Sequence, residues 1–274
     1  MPNSANSRPG WSLDKRNPDR IRALMPFWGW FYQYYFRVQT EGWEEIPEEQ
    51  FLFVGSHNGG LAAPDMVMTI YDWFRRFGTQ RLIYGLSHQN LWKVNPPLAD
   101  LAMEVGSIAA HPKMAIAAIN RGASLLVYPG GAKDVFRPHR DRHKIEFAGR
   151  VGFIKLALRE NLPIVPIVSH GAHDTLIILA DFYEQVKILH QWGVPWPFNV
   201  DPEVFPVYLG LPWGISIGPL PNFPLPVQIK TRVCPPIYFP RYGRKAARDR
   251  DYVRTCTQQV QTQMQQQLDR LSAE

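Results

Sequence analysis

Short apolar segments alternate along most of this chain with longer segments of helical periodicity. The apolar segments are bounded by glycine, proline or polar residues, which is typical of buried strands. Strands that are joined by crossover helices pair in parallel, so the alternation predicts an α/β domain with a largely parallel central sheet flanked by helices. The predicted strands are residues 51–56, 81–86, 124–129, 163–169 and 227–234, and helices are predicted after Asp65, Pro96, Pro112 and Gly149 and over residues 251–271.

The chain length of 274 residues fits one such domain with a short extension at each end. Residues 1–20 are polar, and we expect a mobile N-terminal arm there. They lack the apolar core of a secretory signal peptide, so we expect an intracellular protein. Residues 21–38 are predicted to form an aromatic helix, residues 39–245 the α/β domain, and residues 246–274 a C-terminal helix rich in glutamine.

Two segments bear on contact with a membrane. Residues 24–36 read LMPFWGWFYQYYF, and such side chains suit the headgroup level of a bilayer; the alternative is a helix packed on the domain. Residues 204–229 carry no charge, but they contain six prolines. Each proline removes a backbone donor, so we expect loops and short strands there and no spanning helix.

A histidine follows the first predicted strand in the sequence SHNGGLAAPD, residues 56–65. His57 therefore lies at the carboxyl end of a strand, which is where sites form in parallel sheets. Asp65 begins the next helix, and its carboxylate can orient the imidazole of a general base. The alternatives are that His57 is a structural histidine and that Asp65 is only the N-cap of its helix.

A second candidate site follows the strand of residues 124–129, which runs into Tyr128-Pro129-Gly130-Gly131. A turn of this composition exposes backbone amides that suit contacts with an anion. Lys133 and Arg137 come next and add positive charge. The alternative is a sharp turn followed by a solvated basic loop.

Further histidines raise the alternative of a metal-dependent hydrolase. Two pairs of histidines are close in the sequence: His139 with His143 and His170 with His173. The spacing within each pair suits a metal ion only if a helix holds both residues. Both pairs lie in loop-like sequence, so we expect no metal site. The chain also lacks a G-x-S-x-G elbow, a P-loop and a dinucleotide fingerprint, and its dispersed basic residues predict no nucleic-acid binding.

The order of the motifs resembles the glycerolipid acyltransferase family, which includes the lysophosphatidic acid acyltransferases. A strand-end histidine with a nearby aspartate is followed by a strand ending in Pro-Gly-Gly and by a PIVPIV strand, and the resemblance covers residues 35–240. The family's first motif separates histidine from aspartate by four residues, but Ala62 stands at that aspartate position here. The third motif usually contains a glutamate where this chain has Gly130. Pro-Gly-Gly with Asp134 three residues on is closer to the monoacylglycerol and diacylglycerol acyltransferase branch.

The resemblance implies transfer of a fatty acyl group from a thioester, acyl-CoA or acyl carrier protein, to a hydroxyl of a lysophospholipid or another glycerolipid. No other cofactor is implied. His57 would take the proton from the acceptor hydroxyl, and Asp65 would support it. The substrate-binding residues that the resemblance implies are Asn58, Gly59, Gly60, Tyr128, Pro129, Gly130, Gly131, Lys133, Asp134 and Arg137.

Lipid substrates partition into membranes, and the net charge of +6 favours an anionic surface. We therefore expect a peripheral or monotopic enzyme on the cytoplasmic side of a membrane. The alternative, which Ala62 and Gly130 motivate, is a non-catalytic lipid-binding protein that retains the fold and has lost the acidic residues of the motifs.

Overall fold

The computed structural model describes residues 8–94, 96–196, 201–218 and 220–274. The strands are β1 (Gln39–Glu41), β2 (Leu52–Gly55), β3 (Ile83–Ser87), β4 (Ser107–Ala109), β5 (Ser124–Val127), β6 (Ile164–His170), β7 (Ile177–Asp181), β8 (Pro206–Gly210), β9 (Gly214–Ile217) and β10 (Lys230–Val233). The α-helices are α1 (Pro18–Trp30), α2 (Pro64–Phe77), α3 (Gln89–Val94), α4 (Pro96–Glu104), α5 (Pro112–Asn120), α6 (Gly131–Val135), α7 (Gly152–Arg159), α8 (Tyr183–Gln191), α9 (Gly243–Arg248) and α10 (Arg250–Ala273).

A seven-stranded sheet in the order β1-β10-β6-β2-β5-β3-β4 forms the centre of the molecule. The strands from β6 to β4 pair in parallel, and β10 pairs antiparallel with β6 and parallel with β1. The predicted α/β fold is therefore confirmed. Strands β7, β8 and β9 form a separate antiparallel sheet, and β8 and β9 confirm the short strands predicted within residues 204–229.

The register of the central strands determines what lies at their carboxyl ends. β2 is buried along its whole length, as expected for a strand covered on both faces. It pairs with β5 so that Val54 lies opposite Val127, and with β6 so that Gly55 lies opposite Ile167. β2 and β5 therefore end at the same edge of the sheet, and the residues that follow them, His57 and Tyr128, become neighbours.

Two apolar cores cover the two faces of the sheet. One face packs against α1 and α2 through Ile21 and Trp73, and the other packs against α5, α7 and α10. Residues 246–248 belong to the separate helix α9. The C-terminal helix begins at Arg250, capped by Asp249, which confirms the helix predicted over residues 251–271. Its buried residues recur every three or four positions and form a continuous stripe: Val253, Cys256, Val260, Met264, Leu268 and Leu271.

The N-terminal segment differs from the predicted mobile arm in its described part; residues 1–7 lie outside the described residues. The Ala109 amide donates to the Gly10 carbonyl at 2.8 Å, and the Tyr84 hydroxyl donates to the Leu13 carbonyl at 3.1 Å. Leu13 is buried. The segment therefore packs along the domain, and α1 begins at Pro18, inside the predicted arm.

The aromatic segment forms the end of α1 and a π-helical turn, Phe31–Tyr35, that continues from it. Ile21 and Tyr32 are buried, whereas Phe27, Trp30 and Tyr34 are exposed. Across the described ranges, no helix combines the length and the apolar character that crossing a bilayer requires.

Candidate active site

His57 lies two residues beyond β2, and its ring faces Asp65. A 3₁₀ turn, Gly60–Ala62, precedes α2, and Asp65 is the second residue of that helix. The helix turns the carboxylate back toward His57, so that His57 Nδ1 lies 3.4 Å from each carboxylate oxygen of Asp65. The pair that the sequence predicts is thus brought together. The N-cap alternative for Asp65 is wrong, since Ala63 occupies that position.

Asp65 is held in a buried position behind the histidine. Its side chain is 1% exposed, and the Asn58 amide Nδ2 lies 3.4 Å from Asp65 Oδ2. The same Nδ2 donates to the Ser56 carbonyl at 2.8 Å. The His57 side chain is 17% exposed, so it can be reached from outside while its partner cannot. Since Nδ1 faces Asp65, Nε2 is the ring nitrogen that can face a substrate.

Tyr128 packs against the His57 ring. The two ring centroids are 4.6 Å apart at an interplanar angle of 32°. This contact depends on Gly55, because a Cβ there would lie 2.3 Å from Tyr128 Cε1. Burial raises the pKa of Tyr128 well above its ordinary value. The arrangement restricts the orientation of the imidazole.

Arg137 ties the loop that carries His57 to the segment after β5. Nη1 donates to the His57 carbonyl at 3.0 Å and to Asp134 Oδ1 at 2.7 Å, and Nη2 donates to Asn58 Oδ1 at 2.5 Å. Further bonds go to the carbonyls of Asp134, Asp141 and Arg142. The side chain is buried and its donors are occupied by protein acceptors. Through these contacts Arg137 holds the loop that carries His57, and its contact with substrate stays a prediction.

Asp134 is the second anchor of that loop. It is fully buried and accepts from the His57 backbone amide at 2.5 Å and from Ser56 Oγ at 3.4 Å. Burial raises the pKa of Asp134 to about 6, although Arg137 and the His57 amide oppose the shift. Like Arg137, Asp134 contacts the loop that carries His57, and its role in substrate binding stays a prediction.

The Pro-Gly-Gly turn is fixed by a residue that sequence reasoning missed. Arg150 Nη1 donates to the carbonyls of Pro129 and Gly130 at 3.1 and 2.6 Å, and Nη2 pairs with Glu203 at 2.8 Å. Arg150 lies about twenty positions from the turn in a polar loop, so no local pattern marks it. Lys133, in contrast, is exposed in α6 and is available to solvent.

Gly59 and Gly60 form the wall of the site next to His57. Both have positive φ, 81° and 66°, and both are closely surrounded. A Cβ on Gly59 would lie 2.6 Å from Thr175 Oγ1, and one on Gly60 would lie 2.5 Å from Leu176 Cδ2. Glycine is therefore required at both positions. The next residue, Leu61, is 53% exposed.

The four histidines considered as metal ligands lie in two pairs that differ from those suggested by spacing. His139 stacks near His173 and pairs with Asp174 at 2.7 Å, and His143 stacks on His170 at 5.2 Å. Burial and the Arg137 charge lower the pKa of His173 to about 3. Within the part of the chain that the structure describes, no three histidine, cysteine or acidic side chains are grouped to hold a metal ion.

The model of the family described as diacylglycerol acyltransferase matches residues 12–188, more than half of the chain. An uncharacterized protein of Mycobacterium tuberculosis is 28% identical over 254 residues, which cover 92% of this chain and 66% of that protein. The 2-acylglycerol O-acyltransferase 1 of Mus musculus is 22% identical over 223 residues, which cover 74% of this chain and 64% of that enzyme. The chain thus spans slightly less than two thirds of the length of these relatives.

A solved structure shares the fold. The crystal structure of a 1-acyl-sn-glycerophosphate acyltransferase from Thermotoga maritima superposes with a TM-score of 0.52 at 16% identity, covering 93% of this chain and 80% of that one. The family match includes both His57 and the Pro-Gly-Gly turn, and the fold agrees with it. The chain belongs to the diacylglycerol acyltransferase family, which is a family of glycerolipid acyltransferases.

Proposed function

We propose that the protein transfers a fatty acyl group from a thioester donor, acyl-CoA or acyl carrier protein, to the hydroxyl of a neutral acylglycerol. The observation that carries the proposal is the position of His57, which lies between Asp65 and Tyr128 at the end of β2 and is reachable from outside. A histidine with a buried carboxylate behind it is a general base, and direct attack by an activated hydroxyl needs no nucleophilic side chain.

In the proposed reaction His57 Nε2 takes the proton of the acceptor hydroxyl as its oxygen attacks the thioester carbonyl. Asp65 stabilises the imidazolium that forms and holds the ring by Nδ1. The tetrahedral intermediate then collapses, the carbon–sulfur bond breaks, and His57 returns the proton to the departing thiolate. Proton transfer by a positioned base contributes about 10²- to 10⁴-fold in rate.

The developing oxyanion needs backbone donors, and the structure offers two places. The Gly131 amide already donates to the Tyr128 carbonyl at 3.2 Å within the turn. Gly59 and Gly60 follow His57 after one intervening residue, Asn58, and both have positive φ. Backbone N–H groups in such a turn can line an anion-binding concavity. We therefore assign the oxyanion contact to Gly59 and Gly60.

The charges around the site support a neutral acceptor over a lysophospholipid. A phosphate needs free cationic donors, but both guanidinium groups that contact the two motifs are engaged by protein atoms. Arg137 is buried with Asp134 and Asn58, and Arg150 pairs with Glu203. Lys133 is the exposed cation of α6. If a phosphate were bound there, Lys133 would be its contact.

An acyl-transfer assay with radiolabelled acyl thioester tests the proposal. Purified protein in lipid micelles is given monoacylglycerol, diacylglycerol, a long-chain alcohol or lysophosphatidic acid. We expect product with a neutral acylglycerol, and we expect Lys133→Ala to leave the KM for that acceptor within about twofold of wild type. Preference for lysophosphatidic acid with a KM that rises in Lys133→Ala would contradict the neutral acceptor. The absence of acylated product with every acceptor and with both donor types would favour the non-catalytic lipid-binding alternative.

Such substrates place the enzyme at a membrane surface, and the end of α1 supplies a contact. Phe27, Trp30 and Tyr34 are 61%, 51% and 61% exposed on this short segment. Amphipathic aromatic rings of this kind lie at the headgroup level of a bilayer. We assign the protein to the surface of an anionic membrane as a peripheral or monotopic enzyme.

A further inference from the structure

The small sheet is apolar on both of its faces. Its inner face packs Ile178 and Tyr208 against Val135 and Phe136. On the outer face the cross-strand partners Leu209 and Ile215 lie side by side, next to Val207 and Ile217. Antiparallel sheets that face water on one side normally carry polar residues there. This sheet instead exposes aliphatic side chains in register.

The outer face continues into the tip of the β8–β9 hairpin. We call this exposed set the apolar face; it consists of Leu179, Leu209, Leu211, Trp213, Ile215 and Ile217. Exposure reaches 60% at Trp213 and 73% at Ile215. The indole N–H of Trp213 donates to the Pro221 carbonyl at 2.8 Å, so its polar group is satisfied within the protein. The ring can therefore leave water without losing a hydrogen bond.

A strap, residues 220–226, joins the apolar face to the aromatic end of α1. The Phe223 amide donates to the Leu211 carbonyl at 2.8 Å, and the Phe223 ring lies 5.7 Å from that of Tyr35. The Tyr35 hydroxyl in turn donates to the Pro224 carbonyl at 2.7 Å. Two exposed apolar regions that are far apart in sequence are thereby continuous in space.

The same strap reaches the active site. Asn222 Nδ2 lies 3.4 Å from the Gly59 carbonyl, and Asn222 Oδ1 would be 2.8 Å from a Cβ on Gly60. The exposed Leu61 follows directly. The apolar surface therefore extends to the rim of the site that holds His57.

The charge pattern of this surface matches the outer layer of a membrane. Residues 204–229 carry no charge, so no ion pair is lost when they leave water. At the edge, the exposed Arg37 donates to the carbonyls of Tyr35 and Pro226, each at 3.1 Å. An uncharged area with an arginine at one edge complements hydrocarbon beneath an anionic headgroup layer.

We propose that the apolar face of the β7–β9 sheet is a second membrane-docking element, which inserts into the same lipid surface as the aromatic end of α1 and thereby sets the His57 site against the bilayer. This rests on the proposed function, because a lipid acceptor must enter from the membrane. A second copy of the chain on this face would cover the rim of the site at Leu61 and Asn222, whereas a bilayer there delivers the substrate.

The test compares Ile215→Lys/Ile217→Lys with the matched control Gln263→Lys/Gln266→Lys, which adds the same charge on the exposed side of α10. Lysine is tolerated on an edge strand such as β9. Co-sedimentation with neutral phosphatidylcholine vesicles avoids any electrostatic gain from the added charge. We expect the β9 variant to bind at least about tenfold more weakly than wild type, because burying these side chains is favourable and burying lysine is not, and the control to bind like wild type.

A site-specific probe reports insertion directly. The native cysteines, Cys234 and Cys256, are both buried, so a polarity-sensitive fluorophore can be placed on Ile215→Cys or, as control, on Gln263→Cys. Vesicles should shift the emission of the probe at 215 to the blue and leave that at 263 unchanged. Equal vesicle binding by the β9 variant and wild type, or no blue shift at 215, would overturn the proposal. So would light scattering that shows a dimer which the β9 variant dissociates.

The two proposals fail separately. If vesicles bind through β9 but no acceptor is acylated, the proposed activity is wrong and the docking face stands. If wild type acylates a short-chain, water-soluble acceptor without vesicles but the β9 variant and wild type bind vesicles equally, the docking face is wrong and the activity stands.

Discussion

A carboxylate displaced along the sequence can still reach its histidine when the intervening residues form a compact turn. Ala62 stands where a carboxylate separated from His57 by four residues would be, and Asp65 comes three positions later. The 3₁₀ turn accommodates the three additional residues, and the first turn of α2 directs the Asp65 carboxylate toward His57 Nδ1. The contact between a histidine and an aspartate can therefore be kept although the number of residues between them differs.

The first prediction concerns that pairing. Asp65→Asn should lower kcat for acyl transfer by about 10² or more, because an amide cannot stabilise the imidazolium and does not hold the required tautomer. Asp72→Asn is the matched control: it is a fully buried aspartate of the same helix, but it pairs with Arg75 and Arg76. Steady-state kinetics and thermal melting are measured on both. An equal loss of kcat in Asp72→Asn would show that the effect of Asp65→Asn is structural.

The second prediction concerns the pH dependence of stability. Because burial raises the pKa of Asp134 to about 6, above its ordinary value near 4, the folded state binds this proton more tightly than the unfolded state. The contribution of this proton to the free energy of unfolding is fully present below about pH 4 and is lost as the pH rises through about 6. Relative to Asp134→Asn, the free energy of unfolding of wild type should fall by about 1 kcal/mol from pH 5 to pH 7.

Urea unfolding of wild type and Asp134→Asn at the two pH values measures this difference. The comparison between the two proteins removes the titration of groups that they share. A difference that stays constant between pH 5 and pH 7, or that changes in the opposite direction, would show that Asp134 does not have a raised pKa in the folded protein.

At the scale of elements, most of the strands and helices were predictable and the relations between them were not. Apolar runs such as 51–56 and 163–169 are found as β2 and β6. Contacts that depend on strand register, such as that of Tyr128 with His57, could not be predicted without knowing how β2 aligns with β5. From the sequence, Arg137 was predicted to be a cation that is available to substrate. Its burial against Asp134 and Asn58 is a tertiary property, and no local sequence pattern indicates it.

The C-terminal helix is rich in glutamine, but it also has a stripe of buried apolar residues. Glutamine dominates α10, but Val260, Met264 and Leu268 follow one another at every fourth position and are buried in the main core. Gln261 and Gln265 reach the backbone of residues 143–145, so part of the polar surface is also structural. The helix therefore closes one face of the sheet.

The third prediction tests that role. Met264→Ala should destabilise the protein by about 2–5 kcal/mol, because it removes a fully buried side chain and leaves a cavity. Gln263→Ala, at the neighbouring exposed position, should change the free energy of unfolding by less than about 0.5 kcal/mol. Urea denaturation of both variants gives the comparison. Similar small effects in both would mean that α10 is not part of the cooperative core.

At the scale of the whole molecule, three separate parts of the chain meet around His57. The central sheet supplies the loop that carries His57, the segment after β5 supplies Asp134 and Arg137, and the small sheet with its strap supplies Asn222 next to Gly59. The sequence indicated the first two through their motifs. The third lies in residues that carry neither charge nor a recognisable motif, and only the fold places them beside the site.

We propose that His57 is the general base of an acyltransferase. The most direct measurement is acyl transfer by His57→Ala, compared with wild type using the acceptor that wild type prefers and with circular dichroism to show that both are folded. We predict that kcat falls by about 10² to 10⁴ while the fold and vesicle binding are retained. A folded His57→Ala variant that transfers acyl groups at a rate within a few-fold of wild type would show that His57 is not the general base.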